Sequence, residues 1–295
     1  MKLNFEPISI DLQDRYVKYF SRVSQKGSDY SFINLWGWAE AYGLLWAWDE
    51  DLVWIRQTRP NEIMWAPVGA WDRIDWDHRF DQFESEPPFF TRLPEPLVEY
   101  WKRRNANPYH FEEERGNWDY LYSAPELISL KGNRFHKKKN LLNQFLKKYN
   151  CRYIPIDPGW TEEALRMQNN WCAWRDCESS EMLDAENQVI EKILKYWEKL
   201  SNILGGAILI EGKMAAYTVG ERLDNDTLVI HFEKGNQEYQ GIYQAINQIF
   251  LSHQENRFQV VNREQDLDDP GLRKAKLSYN PIGYIRKYRA IHTRT

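Results

Sequence analysis

The chain has 295 residues, of which 42% are hydrophobic and 28% charged, and its formal net charge is -4 with a pI near 6.0. This composition excludes a disordered chain, and the negative balance provides no global basic field that would attract nucleic acid or an anionic membrane. The length predicts two domains. Aromatic residues make up 15% of the chain. Most of their rings are expected in the core, with the alternative that some line an apolar groove for a substrate.

The N-terminus and the cysteines are the sequence features that indicate the cellular compartment of the protein. The first ten residues lack the long apolar stretch of a secretory signal, and no run reaches the roughly 18 apolar residues of a transmembrane helix. Cys151, Cys172 and Cys177 cannot all pair with one another. The spacing of the last two has neither the second pair nor the neighbouring histidine of a zinc site. We therefore predict three reduced thiols, no metal site and a cytoplasmic location.

Hydrophobic periodicity predicts the elements of the first half of the chain. A helix is expected over residues 10–23, followed by two short strands within 43–57, a strand at 89–93, a helix over 95–105 and a further helix over 134–149. The last of these is the clearest, because its apolar residues follow helical spacing. A turn at Asp157-Pro158-Gly159 follows. We place the boundary between two domains, residues 1–150 and 151–295, just before it.

The second half has a more regular order. We predict helices at 161–175 and 184–200, three consecutive strands within 205–235, a helix at 239–255, a strand at 258–262, a short helix at 270–277 and a final strand at 282–290. Glu211-Gly212-Lys213 and Asp224-Asn225-Asp226 are the expected hairpin turns. This order of helices, antiparallel hairpins, strand, helix and strand favours an α+β fold over a doubly wound sheet.

The third of these consecutive strands carries the first candidate chemistry. Side chains alternate across a strand, so His231 and Glu233 are expected on one face, where they could act as a base and its orienting group. The alternative is a buried sheet histidine next to a Glu233–Lys234 ion pair. The loop from Gly235 to Gly241 then leads into a strong helix. The N–H groups at such a helix start suit a phosphate or a developing oxyanion.

Polar residues also cluster after the strand that ends at Asn262. Arg263 suits a phosphate or carboxylate, and Arg273 and Lys276 follow on the short helix. The alternative is a polar loop with internal salt bridges. A second basic segment lies earlier in the chain and is either a solvated helix face or a docking face for RNA phosphates. Its main members are Arg134, His136, Lys137, Lys138 and Lys139.

Several segments resemble a known family. Residues 31–38 (SFINLWGW), 119–145, 230–235 (IHFEKG) and 261–281 (VNREQDLDDPGLRKAKLSYNP) are similar to bacterial proteins named for the C-terminal domain of phosphatidylglycerol lysyltransferase. The resemblance covers nearly the whole chain and is most specific in the last segment. It implies a tandem GNAT-like fold, with two similar domains that each have a mixed, mainly antiparallel sheet and flanking helices.

The resemblance also implies a function. Related tandem-GNAT enzymes, including the lysyltransferases and the Fem peptidyltransferases, transfer an aminoacyl group from charged tRNA to an amine or hydroxyl. By that resemblance no cofactor is permanently bound, the donor is an aminoacyl-tRNA or an acyl-CoA, and the acceptor is a small molecule, a peptide or a lipid. The expected catalytic residues are Glu233, His231 and Arg263. Donor binding is expected at Lys234, Gly235, Gly241, Asn262, Arg273 and Lys276, and tRNA binding at Arg134, Lys137, Lys138 and Lys139.

One segment departs from ordinary GNAT enzymes. Their acyl-CoA pyrophosphate lies on a loop of the pattern Q/R-x-x-G-x-G/A, and the matching stretch here runs from Glu238 through Gly241 to Tyr243. The acidic first position and the bulky last position disfavour a pyrophosphate. The alternatives to aminoacyl transfer are an acyl-CoA-dependent N-acyltransferase and a non-catalytic binding protein with Tyr243 closing the groove near Gly241.

Overall fold

The computed structural model describes residues 3–81, 89–104 and 107–292. The chain forms two compact units. The first comprises Met1–Asp119, Gln265–Arg273 and Tyr284–Thr295, and the second comprises Tyr120–Glu264 and Lys274–Gly283.

The first unit contains a mixed sheet. Its strands are β1 (Glu6–Pro7), β2 (Leu45–Trp48), β3 (Leu52–Gln57), β4 (Ile63–Trp65), β5 (Val68–Gly69), β6 (Phe90–Pro94), β7 (Tyr109–Glu113) and, from the end of the chain, β15 (Lys287–His292). The order in the sheet is β1-β2-β3-β4-β6-β15-β7, with β5 paired to β3. The β4–β6 pair is parallel, and the described pairings on either side of it are antiparallel.

Helices and aromatic rings complete this unit. The helices are α1 (Gln13–Phe20), α2 (Phe32–Gly37), α3 (Ala39–Tyr42), α4 (Trp76–Asp81) and α5 (Glu95–Lys102). Trp46 and Trp54 come from neighbouring strands and are fully buried, as is Trp101 of α5. Most of the aromatic residues of this unit therefore lie in its core, because large apolar rings gain most from removal from water.

The second unit contains the other mixed sheet. Its strands are β8 (Asp119–Ser123), β9 (Cys151–Pro155), β10 (Ile203–Ile210), β11 (Lys213–Arg222), β12 (Thr227–Gly235), β13 (Val260–Asn262) and β14 (Gly283–Ile285), in the order β14-β8-β13-β12-β11-β10-β9. The two predicted hairpins are confirmed, since β10 pairs antiparallel with β11 and β11 pairs antiparallel with β12. β9 pairs antiparallel with the other edge of β10. The β12–β13 pair is parallel.

In the described structure six α-helices follow residue 119, and all but the first of them were predicted. They are α6 (Ala124–Ser129), α7 (His136–Lys148), α8 (Thr161–Arg175), α9 (Glu181–Lys195), α10 (Ile242–Ser252) and α11 (Pro270–Leu277). Helix α9 begins three residues earlier than predicted, because the Ser180 side chain accepts a hydrogen bond from the Leu183 N–H and caps the helix there. In α10 the apolar stripe is buried, with Ile242, Ile246 and Phe250 at most 2% exposed.

The two units divide the chain at residue 119, whereas the sequence placed the boundary at residue 150. Helix α7 packs on α10 and therefore belongs to the second unit. The end of the chain was also expected in the second domain. Instead, β15 pairs with β6 and β7 of the first unit's sheet, a non-local pairing that hydrophobic periodicity does not reveal.

The cysteines differ from the prediction of three free thiols. Cys172 at the end of α8 and Cys177 after it form a disulfide, and Cys151 is free. The left-handed backbone of Asp176, with φ of 53°, turns the chain between α8 and Cys177. This turn brings the two side chains together. In the described part of the chain no helix has both the length and the apolar character needed to cross a membrane.

Candidate functional site

The candidate site lies where two parallel strands stop pairing. β12 and β13 pair from Thr227–Val260 to Val229–Asn262, and β13 ends there while β12 continues to Gly235. Beyond Val229, the edge of β12 is no longer paired with β13, which leaves an opening between β12 and the chain segment that follows β13. Glu233 of β12 and Arg263 after β13 meet across this opening.

Glu233 and Arg263 form a largely buried ion pair. The Arg263 Nη2 lies 3.1 Å from Glu233 Oε1, with side chains 16% and 10% exposed. The other carboxylate oxygen accepts from Asn247 Nδ2 at 3.2 Å. Burial alone would lower the pKa of Arg263, but the neighbouring charges and hydrogen bonds, with Glu233 first among them, together raise that pKa. The guanidinium therefore stays charged, and Asn247 and Arg263 hold the carboxylate from both sides.

Further cations and a tyrosine surround this pair. The Tyr279 ring centroid lies 4.9 Å from the Arg263 guanidinium carbon and 4.0 Å from Lys138 Nζ. Burial, and then the charge of Arg263, lowers the pKa of Lys138. The Lys276 ammonium donates to the backbone carbonyl of Arg263. Arg263, Lys138 and Lys276 thus place three positive side chains close to Tyr279 and the Arg263 backbone, which suits an anionic group on the substrate.

The basic run on α7 divides between this cluster and solvent. Lys138 is the half-buried member that reaches Tyr279. Lys137 and Lys139 are exposed, and Arg134 is exposed and paired with Glu126. The sequence grouped these four residues as one tRNA-binding face. In the structure they do not share one face, because neighbouring residues of a helix point in different directions.

Lys234 is neutralised by a nearby carboxylate. Its Nζ lies 2.6 Å from Glu186 Oε2 of α9 and 4.0 Å from the centre of the Trp171 ring of α8. At the end of the same strand, the Gly235 carbonyl accepts from the Tyr243 hydroxyl at 3.3 Å. The tyrosine side chain therefore reaches back across the loop from Gly235 to Gly241.

His231 does not fit the role of a general base. Its side chain is fully buried, and its two ring nitrogens lie 2.8 Å from Glu264 Oε1 and 3.2 Å from Glu221 Oε2. Burial alone would lower the pKa of His231, but the hydrogen bonds and charges of the two carboxylates raise it to about 9. The ring is thus an imidazolium at neutral pH, with both N–H groups in use. Its partners are Glu221 and Glu264 rather than Glu233.

Gly241 initiates α10 at a point of close helix packing. Its φ is 90°, and a Cβ there would meet the Leu141 carbonyl oxygen of α7 at 2.6 Å and Phe145 Cβ at 3.1 Å. The Ile242 N–H donates to the Tyr239 carbonyl at 3.0 Å. That N–H is therefore not available to an oxyanion, and the space beside Gly241 is occupied by α7.

Gly241→Ala is expected to lower the free energy of unfolding by about 2–4 kcal/mol, since it adds left-handed backbone strain to a backbone clash. Gly212→Ala is the matched control. Its φ is 79°, but a Cβ there meets nothing within 4 Å, so the loss should be about 1 kcal/mol. Urea denaturation measures both. Equal losses would mean that the approach of α7 does not constrain Gly241.

The remaining predicted donor-binding residues have structural partners. Asn262 is fully buried, and its side chain accepts from the Glu264 N–H at 2.8 Å. Arg273 belongs to the first unit, where Asp266 binds its guanidinium at 2.7 and 2.9 Å and Asp268 binds it at 2.6 Å. The alternative reading of internal salt bridges therefore describes Arg273.

A cavity of about 420 Å³ lies elsewhere in the second unit, on α8 and α9 beside the disulfide. It contains none of the site residues predicted from the sequence. Its lining residues are Asn169, Cys172, Ala173, Asp176, Cys177, Asp184 and Asn187.

Sequence reasoning missed two residues of the site. Asn247 is 2% exposed on the buried side of α10, and Gln244, one turn earlier, lies 3.5 Å from the Tyr279 hydroxyl. A buried amide in an apolar helix stripe requires a polar partner. The sequence offered one signal for this site: Asn247 is a polar residue one helical turn from Tyr243 and from Phe250, within the apolar stripe.

Two mixed sheets with flanking helices form the α+β, tandem GNAT-like fold that the sequence predicted. The chain belongs to the family described as phosphatidylglycerol lysyltransferase, C-terminal, whose model matches residues 20–291.

Solved structures share the fold of this chain. A solved structure of a conserved protein of unknown function from Bacteroides thetaiotaomicron is 27% identical, has a TM-score of 0.87, and the match covers 99% of this chain and 100% of that one. The L-PGS structure from Bacillus licheniformis is 12% identical with a TM-score of 0.67, over 100% and 95% of the two chains, and shares the fold.

A curated relative matches a shorter segment. An uncharacterised protein of Mycoplasmoides gallisepticum is 23% identical over 176 residues, which cover 58% of this chain and 54% of the relative. The match therefore spans about half the length of that protein.

Proposed function

We propose that the chain is an aminoacyltransferase of the bacterial cytoplasm that moves an aminoacyl group from charged tRNA to an amine or hydroxyl acceptor. Membership of the phosphatidylglycerol lysyltransferase C-terminal family supports this reaction class. The observation that carries the proposal is the Glu233–Arg263 pair, 3.1 Å apart, in the opening between β12 and β13. A carboxylate and a guanidinium held this close supply both a proton acceptor and an anion site.

The cations would hold the donor. Arg263 offers a planar fork of N–H donors that matches a phosphate, and Lys138 adds a second positive charge at the Tyr279 ring. In this proposal the two side chains bind phosphates next to the acceptor end of the tRNA. The low exposure of Arg263, 16%, strengthens each contact, because little water competes for it.

Glu233 would accept the proton of the acceptor. The acceptor nitrogen or oxygen attacks the ester carbonyl carbon, and a new C–N or C–O bond forms. The bond between that carbon and the ribose oxygen of the tRNA breaks. The proton lost by the acceptor passes to Glu233 and then to the departing ribose oxygen, so charge and atoms balance. Asn247 holds the carboxylate in place for this step.

The loop that would receive an acyl-CoA is less favourable. Tyr243 donates a hydrogen bond across it to the Gly235 carbonyl, and Glu238 places an exposed acidic side chain in it. Both features weaken pyrophosphate binding and support aminoacyl-tRNA over acyl-CoA as donor. A non-catalytic binding protein is the remaining alternative, and turnover distinguishes it from an aminoacyltransferase.

The test is loss of label from a mixed pool of charged tRNA on addition of the purified chain, with a desalted bacterial extract as acceptor source. We expect protein-dependent loss, and Glu233→Gln should slow it about 100-fold or more, since a positioned general base contributes at least that factor. Loss at the uncatalysed rate would contradict the proposal. A CoA titration then separates the other two functions, because binding indicates an acyl-CoA enzyme and a flat titration a non-catalytic protein.

A further inference from the structure

His231 occupies an irregular position in β12. The register between β11 and β12 shifts, with Phe232 opposite Val219 and Ile230 opposite Gly220, so His231 is the extra residue of a β-bulge. Bulges redirect a side chain out of the regular alternation. Here the bulge directs a fully buried imidazole to two carboxylates, and neither of them is Glu233.

One of these carboxylates belongs to the residue that follows Arg263. Glu264 has a left-handed backbone with φ of 57°. A non-glycine residue seldom adopts this conformation, which persists only where its surroundings hold it. The His231 Nδ1, 2.8 Å from Glu264 Oε1, is one such contact. Asn262 Oδ1, which accepts from the Glu264 N–H at 2.8 Å, is another.

The backbone of Arg263 is held equally firmly. Its N–H donates to the Tyr120 carbonyl at 2.9 Å, and its carbonyl accepts from the Lys276 ammonium. Arg263 therefore leaves the turn in a defined direction and reaches Glu233. Glu264 is the next residue of this turn, and its side chain is held by the contact with His231.

We infer that His231 is a positioning residue for Arg263: by binding Glu264 it holds the strained turn that directs the guanidinium at Glu233 and at the donor. This inference rests on the proposed function for its catalytic consequence, while the geometric part stands on the contacts alone. His231 itself touches neither Glu233 nor a reacting group in this arrangement. It is the charge of the imidazolium, bound by Glu221 of β11 on its other side, that keeps Glu264 in place.

The catalytic test is a double-mutant cycle of His231→Gln and Arg263→Ala in the transfer assay. His231→Gln should lower kcat/KM about 10- to 100-fold, since a misplacement of about 1 Å has effects of that size. In the Arg263→Ala background the same change should cost less than about twofold, because it acts through the missing guanidinium. An equal loss in both backgrounds would show a general structural role and overturn the inference.

If His231→Gln does not fold, Glu264→Gln replaces it in the double-mutant cycle. It leaves the His231–Glu221 contact and the length of the side chain, and it removes the charge that His231 holds. As for His231→Gln, we expect kcat/KM to fall about 10- to 100-fold in the wild-type background and less than about twofold in the Arg263→Ala background. Additive losses for this variant would count against the inference in the same way.

A second measurement does not depend on turnover. The ¹³Cζ resonance of Arg263, assigned from Arg263→Lys, should shift in His231→Gln. In the wild type it should shift as the pH rises through about 9, where His231 loses its proton. Glu221 and Glu264 are the charged groups that bond to the ring. An unmoved resonance in both experiments overturns the inference, whereas a moved resonance without transfer by the wild type overturns only the proposed function.

Discussion

Arg263→Ala is expected to lower kcat/KM for transfer from charged tRNA by about 100- to 1,000-fold. Removal of one preorganised donor from a site of this kind costs about 2.7–4 kcal/mol of transition-state stabilisation. Arg263 is 16% exposed and bonded to Glu233, so water cannot replace its contacts fully. The substitution also leaves Glu233 without its cation, and the measurement is initial-rate kinetics in the labelled-tRNA assay.

Two variants control this experiment. Arg263→Lys keeps the charge and loses the planar fork, and should give an intermediate loss. Arg257→Ala removes an exposed arginine of the same unit that bonds Gln254, and should leave transfer unchanged. A thermal unfolding curve checks that each variant is folded. If folded Arg263→Ala transferred at the wild-type rate, Arg263 would have no part in donor binding.

Lys287→Met is expected to lower the free energy of unfolding by about 3–5 kcal/mol, since removal of one partner leaves buried charge uncompensated. The Lys287 side chain is fully buried in the first unit. Its ammonium donates to Asp119 at 2.6 Å and to Asp29, which also binds Arg92. Burial alone would lower the pKa of Lys287, but Asp119 and Asp29 raise it, so the ammonium is charged.

Lys102→Met is the matched control. Lys102 pairs with Glu99 at 3.1 Å on the surface of α5, with side chains 47% and 49% exposed. Its loss should cost less than about 1 kcal/mol, as for exposed ion pairs in general. Urea denaturation compares the two variants. If Lys287→Met cost no more than the control, the carboxylates of Asp29 and Asp119 would have found other partners.

The local elements were well predicted because each depends on neighbouring residues. Helices α7, α8 and α11 follow their predicted ranges within two residues, and the hairpins of β10 to β12 form at the predicted turns. Hydrophobic spacing and turn residues carry this information. The position of β15 between β6 and β7 was not predicted, since strand pairing over such a separation leaves no local signature.

The candidate site was predicted in part. Glu233, Arg263, Lys276 and Lys138 lie in one cluster, although the sequence assigned the first two to catalysis, Lys276 to donor binding and Lys138 to tRNA binding. The pairing of His231 with Glu233 was wrong. Strict alternation predicts it, but the bulge at His231 interrupts the alternation, and the left-handed backbone of Glu264 has no signal in the sequence.

The amino-acid sequence by itself determined the α+β class, most helices and strands, the family, and the charged residues of the site, because these follow from periodicity, turn chemistry and local motifs. Only the tertiary structure decided which charges meet. It buried His231 between two carboxylates and raised its pKa, and it brought Lys138 of α7 and Arg263 to the same Tyr279 ring. It also placed Arg273 with Asp266. Ionisation and pairing depend on distance and burial, which residues far apart in sequence acquire only on folding.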